Sequence, residues 1–468
     1  MTTRSGQFYS WLQAAVRERG SQRSIYTPET TLSRRGLLTR ADRRARELAG
    51  MGLGAGDVVT ISLGNSAEFL VLLMALSKLG AIAMPVDAAN GDRVLCEALT
   101  RVTTRAVVRR PRGQDSVQIA YPPGYRLVSS RKLPGSMTSI DMLEHADPPA
   151  IPAGIELIFG AVAGDTVTRD VLRTGAELKA IGEAAAELLA LDADSRLLCV
   201  EPLTSPRFFD PVMLGWLASP SQLAMSDGDG LEHALTMARG AERIVVVSSI
   251  RGLLDLRRSV TARGETLAIT PVMPEATIPI EPLRPLKRCF GVDPIQLLVL
   301  EECGLIAART MARGQRFRPP TNVTVRAGKP LGNGREVLVQ TSQRARIAPE
   351  PPPGQPGTPV DPQATWLHTG YVGEFVGDQL ARVFGREDGL VNIEGRRTCL
   401  AGVERRLLQH RRITWAKPRV ETSSDGEALL TVEYRATGET EVDDIEEHAI
   451  GGLPPFMVPR VFKRLGQS

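Results

Sequence analysis

The sequence has little of what marks a secreted, membrane-spanning or disulfide-bonded protein. It contains five cysteines among 468 residues, far apart and never as CxxC: Cys96, Cys199, Cys289, Cys303 and Cys399. This usage is typical of reduced thiols and excludes a disulfide framework. The N-terminus is charged where a secretory signal needs an apolar run, and no stretch offers the roughly eighteen consecutive apolar residues of a membrane span. We therefore expect an unexported, cytoplasmic protein.

Common catalytic and metal-binding motifs are also missing. The five histidines form no HExxH motif and no Cys/His metal spacing, and no GxSxG segment supplies a hydrolase nucleophile. Aromatic residues make up 4% of the chain, and the formal net charge is only +4. Because the charge is spread along the chain, the sequence gives no reason to expect a nucleic-acid partner.

What the sequence does contain is a large apolar fraction, 42%, arranged as alternating strand and helix patterns. Asp57 to Leu63 reads as a strand, and Asn65, as N-cap with Glu68 three residues later, predicts a helix that ends at Gly80. Further strands are predicted at 81–85, 105–109, 196–200, 243–247 and 295–300, and helices at 31–50, 171–191, 231–239 and 250–263. This alternation predicts an α/β fold of stacked, mostly parallel sheets covered by helices.

The later part of the chain is organised differently. Residues 348–362, APEPPPGQPGTPVDP, predict an exposed proline-rich loop. Short strands are predicted over 366–386 and a helix from Gly402. The last seventy or so residues are expected to form a small α+β unit.

Four segments carry a resemblance to a known family. Gly52 to Asp87 resembles the N-terminal βαβ unit of the adenylate-forming superfamily of acyl-CoA synthetases and AMP-ligases, and Phe384 to Glu404 is similar to its hinge motif. His368 to Phe375, HTGYVGEF, resembles the family's TGD segment, and Phe456 to Pro459, FMVP, its C-terminal YMVP. Together these segments extend from about Thr31 to the end of the chain.

The resemblance implies a fold, a reaction and its cofactors. A large N-terminal domain (1–387, with a β-rich subdomain at 315–387) would bind ATP, magnesium and a carboxylic acid and form an acyl-adenylate. A small C-terminal domain (388–468) would then rotate about the hinge residue Asp388. The acyl group would pass to coenzyme A or to the phosphopantetheine arm of an acyl carrier protein.

The phosphate-binding loop that the resemblance implies is degenerate. The corresponding stretch keeps Gly160 and Gly164 but has no lysine, and Asp165 stands where negative charge would repel phosphate. Turn formation alone explains the glycines. Thr166, Thr168 and Arg169 remain candidate anion-binding residues.

The adenine and ribose positions depart from the family pattern as well. In the adenine segment only Glu302 matches, as a candidate magnesium-directed acid or an ordinary strand-end acid. Tyr371 replaces the ribose-binding aspartate, which would cost about 1.5–3 kcal/mol for each charged hydrogen bond lost. Arg386 corresponds to the family's ribose-directed arginine, although a salt bridge would explain it equally well, and His368 is expected near the nucleotide pocket.

The catalytic lysine near the family's C-terminus has no counterpart in the sequence, which stops at Ser468, so the small domain is expected to be truncated. Lys463 and Arg464 are the nearest basic residues, but their register argues against a substitution. Asn392 stands where many members carry a lysine after the hinge, which weakens the expectation of thiol transfer.

Three hypotheses follow for the function. The first is a pseudoenzyme or repurposed acyl- or carrier-binding protein in a biosynthetic pathway, with impaired or absent adenylation. The second is an active, divergent ligase that loads a fatty or aryl acid onto coenzyme A or a carrier protein, and the third is a structural partner subunit of an active ligase. The acyl pocket is expected to be lined by 203–213 and 295–306 and to be apolar.

Overall fold

The computed structural model covers most of the chain. It describes residues 5–465 apart from 21–22, 111–118, 147–150, 161–169, 227–230, 265–266, 279–282, 332–333, 349–357, 359–365, 387–389, 394–395, 424–427, 439–440 and 454.

The helices and strands alternate through the first 300 or so residues, as the sequence pattern predicts. The described helices are α1 (Gln7–Arg19), α2 (Arg34–Gly50), α3 (Ala67–Leu79), α4 (Gly91–Arg101), α5 (Gly175–Leu188), α6 (Pro206–Phe209), α7 (Gly215–Leu217), α8 (Leu231–Ala238), α9 (Ile250–Ala262), α10 (Leu283–Phe290), α11 (Leu400–Leu408) and α12 (Val442–Ile450). A π-helical turn, Asp210–Leu214, joins α6 to α7, and short 3-10 turns lie at Ala88–Asn90 and Pro455–Met457.

The strands are distributed over several sheets. They are β1 (Arg23–Tyr26), β2 (Thr31–Ser33), β3 (Val58–Ser62), β4 (Ile82–Pro85), β5 (Ala106–Arg109), β6 (Tyr125–Lys132), β7 (Ser139–His145), β8 (Ile155–Gly160), β9 (Asp170–Thr174), β10 (Ser195–Cys199), β11 (Gln222–Met225), β12 (Arg243–Val247), β13 (Ile269–Met273), β14 (Ile295–Leu300), β15 (Gly304–Thr310), β16 (Val323–Leu331), β17 (Gly334–Thr341), β18 (Arg346–Ala348), β19 (Trp366–Val376), β20 (Gln379–Arg386), β21 (Leu390–Ile393), β22 (Arg396–Cys399), β23 (Ile413–Thr422), β24 (Ala428–Ala436) and β25 (Val461–Arg464).

Two large mixed sheets form the body of the chain. The first has the order β18-β9-β8-β4-β3-β5-β7-β6, with a parallel centre of β3, β4, β5 and β8. The second has the order β15-β14-β13-β12-β10-β11-β1-β2 and is parallel from β14 to β1. Parallel sheets need both faces covered, and the crossover helices provide that cover.

Helix α3 is the central element between these layers. All its residues from Phe69 to Ser77 are buried, and a helix that is apolar on every side belongs inside a core. The largest core cluster includes α3 residues such as Leu72 together with Ile181 of α5, Ile61 of the first sheet and Val245 of the second. The two sheets therefore share one core, and the predicted α/β fold with stacked sheets is confirmed.

Three local predictions were wrong at helix starts. Residues 31–33 form strand β2 before α2 begins at Arg34, and residues 171–174 belong to β9, after which Thr174 and Glu177 form the capping box of α5. The N-cap of α3 is Ser66, whose hydroxyl accepts from Phe69 N, and not Asn65. The Asn65 side chain instead binds backbone groups of the second sheet's edge, which are described with the candidate site.

Smaller sheets follow in the second half of the chain. Strands β16, β17, β19 and β20 form an antiparallel sheet, β21 pairs with β22, and β23, β24 and β25 form a further sheet packed with α11 and α12. The expected short strands over 366–386 are long strands, β19 and β20. The domain boundaries at 315 and 387 remain predictions.

Candidate functional site

Polar side chains follow three neighbouring strands of the second sheet at their carboxyl ends. Glu201 follows β10, Ser248 and Ser249 follow β12, and Glu275 follows β13. The chain runs from β10 to β11 on one side and then returns to β12 on the other side of β10. In parallel sheets, ligands bind at the carboxyl edge where the strand order reverses in this way. This edge is the candidate site.

The Glu201 carboxylate is bound at the N-terminus of α9. Its Oε1 atom accepts hydrogen bonds from Ser248 Oγ at 2.6 Å, Ser249 N at 2.9 Å and Ser249 Oγ at 2.8 Å. The partial positive charge of a helix N-terminus stabilises an anion there. Glu201 therefore joins the end of β10 to the start of α9.

Gly252 makes room for this carboxylate. A Cβ atom at position 252 would lie 2.9 Å from Glu201 Oε1 and would overlap Ser248 Oγ. We expect Gly252→Ala to lower the free energy of unfolding by about 1–3 kcal/mol, because the site would be overpacked. Urea denaturation measures this effect. Gly50→Ala is the matched control, since no atom would lie within 4 Å of its Cβ, and an equal loss in both variants would contradict the packing argument.

Glu275 and Arg207 are two further charged residues at the same edge, and the Arg207 charge acts on the Glu275 carboxyl group. Burial raises the pKa of Glu275 to about 7, although the Arg207 charge and the hydrogen bond from Ile250 N favour its ionised form. The turn that carries Glu275 is fixed by Gln296, whose Nε2 atom donates to the carbonyl oxygens of Glu275 and Ala276 at 2.8 Å each. Arg207 is 6% exposed. Glu275 is therefore a carboxyl group that titrates near neutrality at the site.

This titration has a measurable effect on stability. The folded-state pKa of Glu275, about 7, lies above the usual 4.5, so its favourable contribution is complete below pH 4.5 and is lost as the pH rises through 7. We expect the free energy of unfolding to fall by on the order of 1–3 kcal/mol across this window. Glu275→Gln should flatten the profile measured by urea denaturation. An unchanged slope in the variant would contradict the assignment.

A buried ion pair lies beneath the site, at the π turn after α6. Asp210 binds Arg173 of β9, and both side chains are 0% exposed. Arg173 Nη2 also donates to the carbonyl oxygen of Glu301 at 2.9 Å, and its guanidinium lies over the Phe159 ring. Burial raises the pKa of Asp210, and the Arg173 charge opposes that rise. π turns are often found at functional sites. Arg173 thus connects β9, the segment after α6 and the β14–β15 turn.

Asn65 joins the first sheet to this edge of the second. Its Nδ2 atom donates to the carbonyl oxygens of Glu201 at 2.8 Å and Ser226 at 3.2 Å, and its Oδ1 atom accepts from Leu203 N at 3.1 Å. Because these backbone groups occupy the amide, the side chain cannot cap α3. The sequence pattern identified the residue but not its role.

The two residues at the family's ribose positions, Tyr371 and Arg386, lie on the antiparallel sheet and contact each other. Tyr371 of β19 and Arg386 of β20 are opposite in register. The Arg386 guanidinium lies 5.2 Å from the centre of the Tyr371 ring, and its Nη1 atom donates to Thr369 O at 3.0 Å. Tyr371 is 3% exposed and belongs to an apolar cluster with Leu300. The arginine is thus directed toward the tyrosine and the β19 backbone.

His368 is held by a buried acid. Its Nδ1 atom lies 2.5 Å from Glu336 Oε1, and the Glu336 side chain is 2% exposed. His368 N also donates to Thr358 O at 3.0 Å. This contact fixes the imidazole ring within the antiparallel sheet, beside Thr369.

Glu302 lies in the tight turn between β14 and β15. It is 7% exposed, and its carbonyl oxygen accepts from Ala345 N at 2.8 Å. Gly304 ends the turn at a φ of 68°, a conformation that favours glycine. Within the described ranges, no group of three or more His, Cys, Asp or Glu side chains could hold a metal ion. A role of Glu302 toward magnesium remains a prediction.

The candidate phosphate loop is described only at its two ends. Gly160 ends β8 and Asp170 begins β9, while Gly164, Asp165, Thr166, Thr168 and Arg169 lie outside the described residues, as does the hinge residue Asp388. Asp170 is buried, and Arg101 Nε donates to its Oδ1 atom at 3.1 Å. Burial raises the pKa of Asp170, and the Arg101 charge opposes that rise. An acid paired with an arginine therefore follows the loop directly in the chain.

The acyl pocket expected along 203–213 and 295–306 remains a prediction, and the first of these segments carries two charged residues. The segment is largely buried and apolar, but it also buries Arg207 and Asp210. The sequence signal for both was a pair of opposite charges three residues apart in an apolar run, which places them on one helical face. The groups whose charges interact with them, Glu275 and Arg173, are distant in sequence, so this arrangement could not be inferred.

Comparison with known proteins agrees with this architecture. Residues 12–149 match the family described as AMP-binding enzyme. The chain is 26% identical to novobiocin biosynthesis protein H of Streptomyces niveus, over 98% of this chain and 80% of that protein. Among the described residues, no helix has both the length and the apolar character needed to cross a membrane.

Solved structures share the fold at low sequence identity. An o-succinylbenzoate CoA synthetase from Bacillus subtilis superposes with a TM-score of 0.74 at 14% identity, covering 98% of this chain and 95% of that one. The structure of IdnL1 superposes with a TM-score of 0.76 at 17% identity, covering 98% of each chain. The expected resemblance and the fold that it implies are confirmed.

Proposed function

We propose that this chain, which has the fold of the AMP-binding, adenylate-forming ligases, binds a carboxylic acid at the carboxyl edge of its second sheet but joins it to AMP slowly or not at all. The family resemblance implies ATP and the thiol of coenzyme A or of a phosphopantetheine arm as the other substrates, with magnesium as the metal ion.

The contact between Tyr371 and Arg386 carries the proposal. Where the family resemblance implies a carboxylate for the ribose hydroxyls, the chain has a buried phenol whose ring packs against Arg386. A phenol lacks the charge that makes such hydrogen bonds strong. The arginine donates to Thr369 O, so a nucleotide would have to compete with that hydrogen bond.

The charges around the phosphate loop support the same conclusion. Adenylation brings a carboxylate against a phosphate and needs positive charge around several oxygens. The loop sequence has no lysine, and Arg101, at the mouth of the loop, is paired with Asp170. Its charge is therefore partly compensated, although its Nη2 atom is buried and has no hydrogen-bond partner among the described residues.

The basic residues nearest to the expected catalytic lysine are also occupied. Lys463 Nζ contacts Glu421 at 2.7 Å, and Arg464 Nη2 donates to the carbonyl oxygen of Gly438 at 2.5 Å. Both side chains lie on the β23-β24-β25 sheet. Using either for adenylation would require breaking these contacts.

Titration calorimetry on the full chain tests the proposal. We expect acids from an alkyl and aryl panel to bind with affinities that saturating ATP and magnesium do not change, because the nucleotide contacts are weak. Failure of every acid to bind would overturn the acid-binding part. A strong increase in acid affinity with ATP would instead favour an active ligase, an alternative that the similarity to ligases over nearly the whole chain keeps open.

A further inference from the structure

The chain between Glu302 and Glu336 is strongly basic. These residues, 303–335, include seven arginines and lysines and no acid. Five of the basic side chains are exposed: Arg313, Arg316, Arg318, Arg326 and Lys329. In the described part of the chain, Arg318 is the one of these five that lies within 4 Å of a carboxylate, at 3.7 Å from Glu187. This stretch therefore gives the surface an excess of positive charge.

Two of these arginines line a surface hollow, which we call the basic hollow. It has a volume of about 590 Å³ and lies between the segment that precedes β16 and the turn that joins β19 to β20. Its lining includes three apolar side chains and three charged ones: Phe317, Val325, Leu380, Arg316, Arg318 and Asp378. The hydrogen bond from Phe317 N to Leu380 O, at 2.9 Å, joins the two walls. The basic hollow is thus an apolar depression with net positive charge around it.

Helix α12 presents the opposite charge. Ile445 and Ala449 are 0% exposed and turn one side of the helix toward the core. The other side carries residues at i, i+3, i+4 and i+7, a spacing that places them on one helical face: Asp443, Glu446, Glu447 and Ile450. The three acids are exposed, and the Ile450 side chain is 60% exposed. We call this side of α12 the acidic face.

The acidic face and the basic hollow are complementary. Opposite charges steer the two surfaces together and fix their register, and an apolar depression removes the Ile450 side chain from water. A nucleic acid would meet the arginines but would leave the apolar lining without a partner, whereas the acidic face uses both features. Because both surfaces are exposed in the structure, a second copy of the chain is needed to bring them together.

We propose that the acidic face of α12 on one copy docks in the basic hollow of another. Ile450 lies in the hollow, and Asp443 and Glu447 lie beside Arg316 and Arg318. Two copies can make this contact reciprocally in a twofold dimer, or successive copies can make it head to tail. The contact does not involve acid or nucleotide binding, so it is independent of the proposed function.

Sedimentation velocity of the full chain over a concentration series measures the association. Two charge-reversed variants test which surfaces meet: Arg316→Glu with Arg318→Glu, and Asp443→Lys with Glu447→Lys. We expect each variant alone to associate at least about tenfold more weakly than the wild type, since like charges then meet in every contact. An equal mixture of the two variants should associate as the wild type does, because a contact between one variant and the other again joins opposite charges. This recovery also shows that both variants are folded.

A third variant and the salt dependence control for net charge. Arg35→Glu with Arg40→Glu makes the same change in net charge on exposed residues of α2 and should associate as the wild type does. Raising the salt concentration from about 0.1 M to about 1 M shortens the Debye length from about 10 Å to about 3 Å. This change should weaken the wild-type association at least about tenfold.

Three results would overturn the proposal. The first is a wild type that stays monomeric at every concentration at the lower salt concentration. The second is a mixture of the two variants that associates no better than its separate components. The third is a monomeric wild type that binds a duplex DNA probe and loses this binding in Arg316→Glu with Arg318→Glu, which would assign the basic hollow to a nucleic acid.

Discussion

Replacing Arg173 with methionine is expected to lower the free energy of unfolding by about 3–5 kcal/mol, because it leaves the Asp210 carboxylate buried without its partner. Both side chains are 0% exposed, so water cannot replace the lost charge. The same change also removes the hydrogen bond from Arg173 Nη2 to Glu301 O. Urea denaturation followed by circular dichroism gives the measurement.

Two further variants distinguish the cost of leaving a charge buried without a partner from the cost of losing an arginine side chain. Arg126→Met breaks an ion pair with Glu144 whose side chains are 73% and 52% exposed, and exposed pairs contribute at most about 1 kcal/mol. The double variant Arg173→Met with Asp210→Leu should recover more than half of the loss, because neither charge then remains buried. Equal losses in Arg173→Met and Arg126→Met would contradict this account.

ATP is expected to bind with a Kd in the millimolar range or weaker. Each charged hydrogen bond missing from the ribose or phosphate contacts costs about 1.5–3 kcal/mol, and every 1.4 kcal/mol is tenfold in affinity. Titration of ATP and magnesium into the full chain measures this directly.

Tyr371→Phe is the matching variant, since it removes only the hydroxyl from a ring that packs in an apolar cluster. We expect ATP affinity to be unchanged in this variant. A micromolar Kd for ATP in the wild type would contradict the expectation of weak nucleotide contacts. A clear loss of ATP affinity in Tyr371→Phe would show that the phenol has taken over the ribose contact.

The sequence predicted layers and periodicity better than the ends of elements. The α/β alternation and the central helix α3 follow from apolar patterning, which burial enforces over many residues at once. The start of α3 depended on a choice between Asn65 and Ser66. Ser66 is the N-cap because the Asn65 amide binds the carbonyl oxygens of Glu201 and Ser226. These groups are distant in sequence, so no local pattern indicates the contact.

Only the part of the candidate site that lies in family motifs could be located from the sequence. The segments carrying Tyr371, Arg386 and His368 were located by motif, but the contact between Tyr371 and Arg386 arises from cross-strand register. Glu275 and Glu201 match no motif that the sequence offered. They are brought together because β10, β12 and β13 are neighbours, which depends on the order of strands in the sheet.

The central claim is that this ligase fold binds an acid without activating it efficiently, and ATP/pyrophosphate exchange tests it most directly. With the alkyl and aryl acids and their hydroxyl and amino derivatives, exchange should remain near the rate of the no-acid control. Removing one preorganised donor costs on the order of 100- to 1000-fold in rate, and more than one is replaced or paired here. Glu302→Gln should leave the exchange rate unchanged. Robust acid-dependent exchange that Glu302→Gln abolishes would contradict the account.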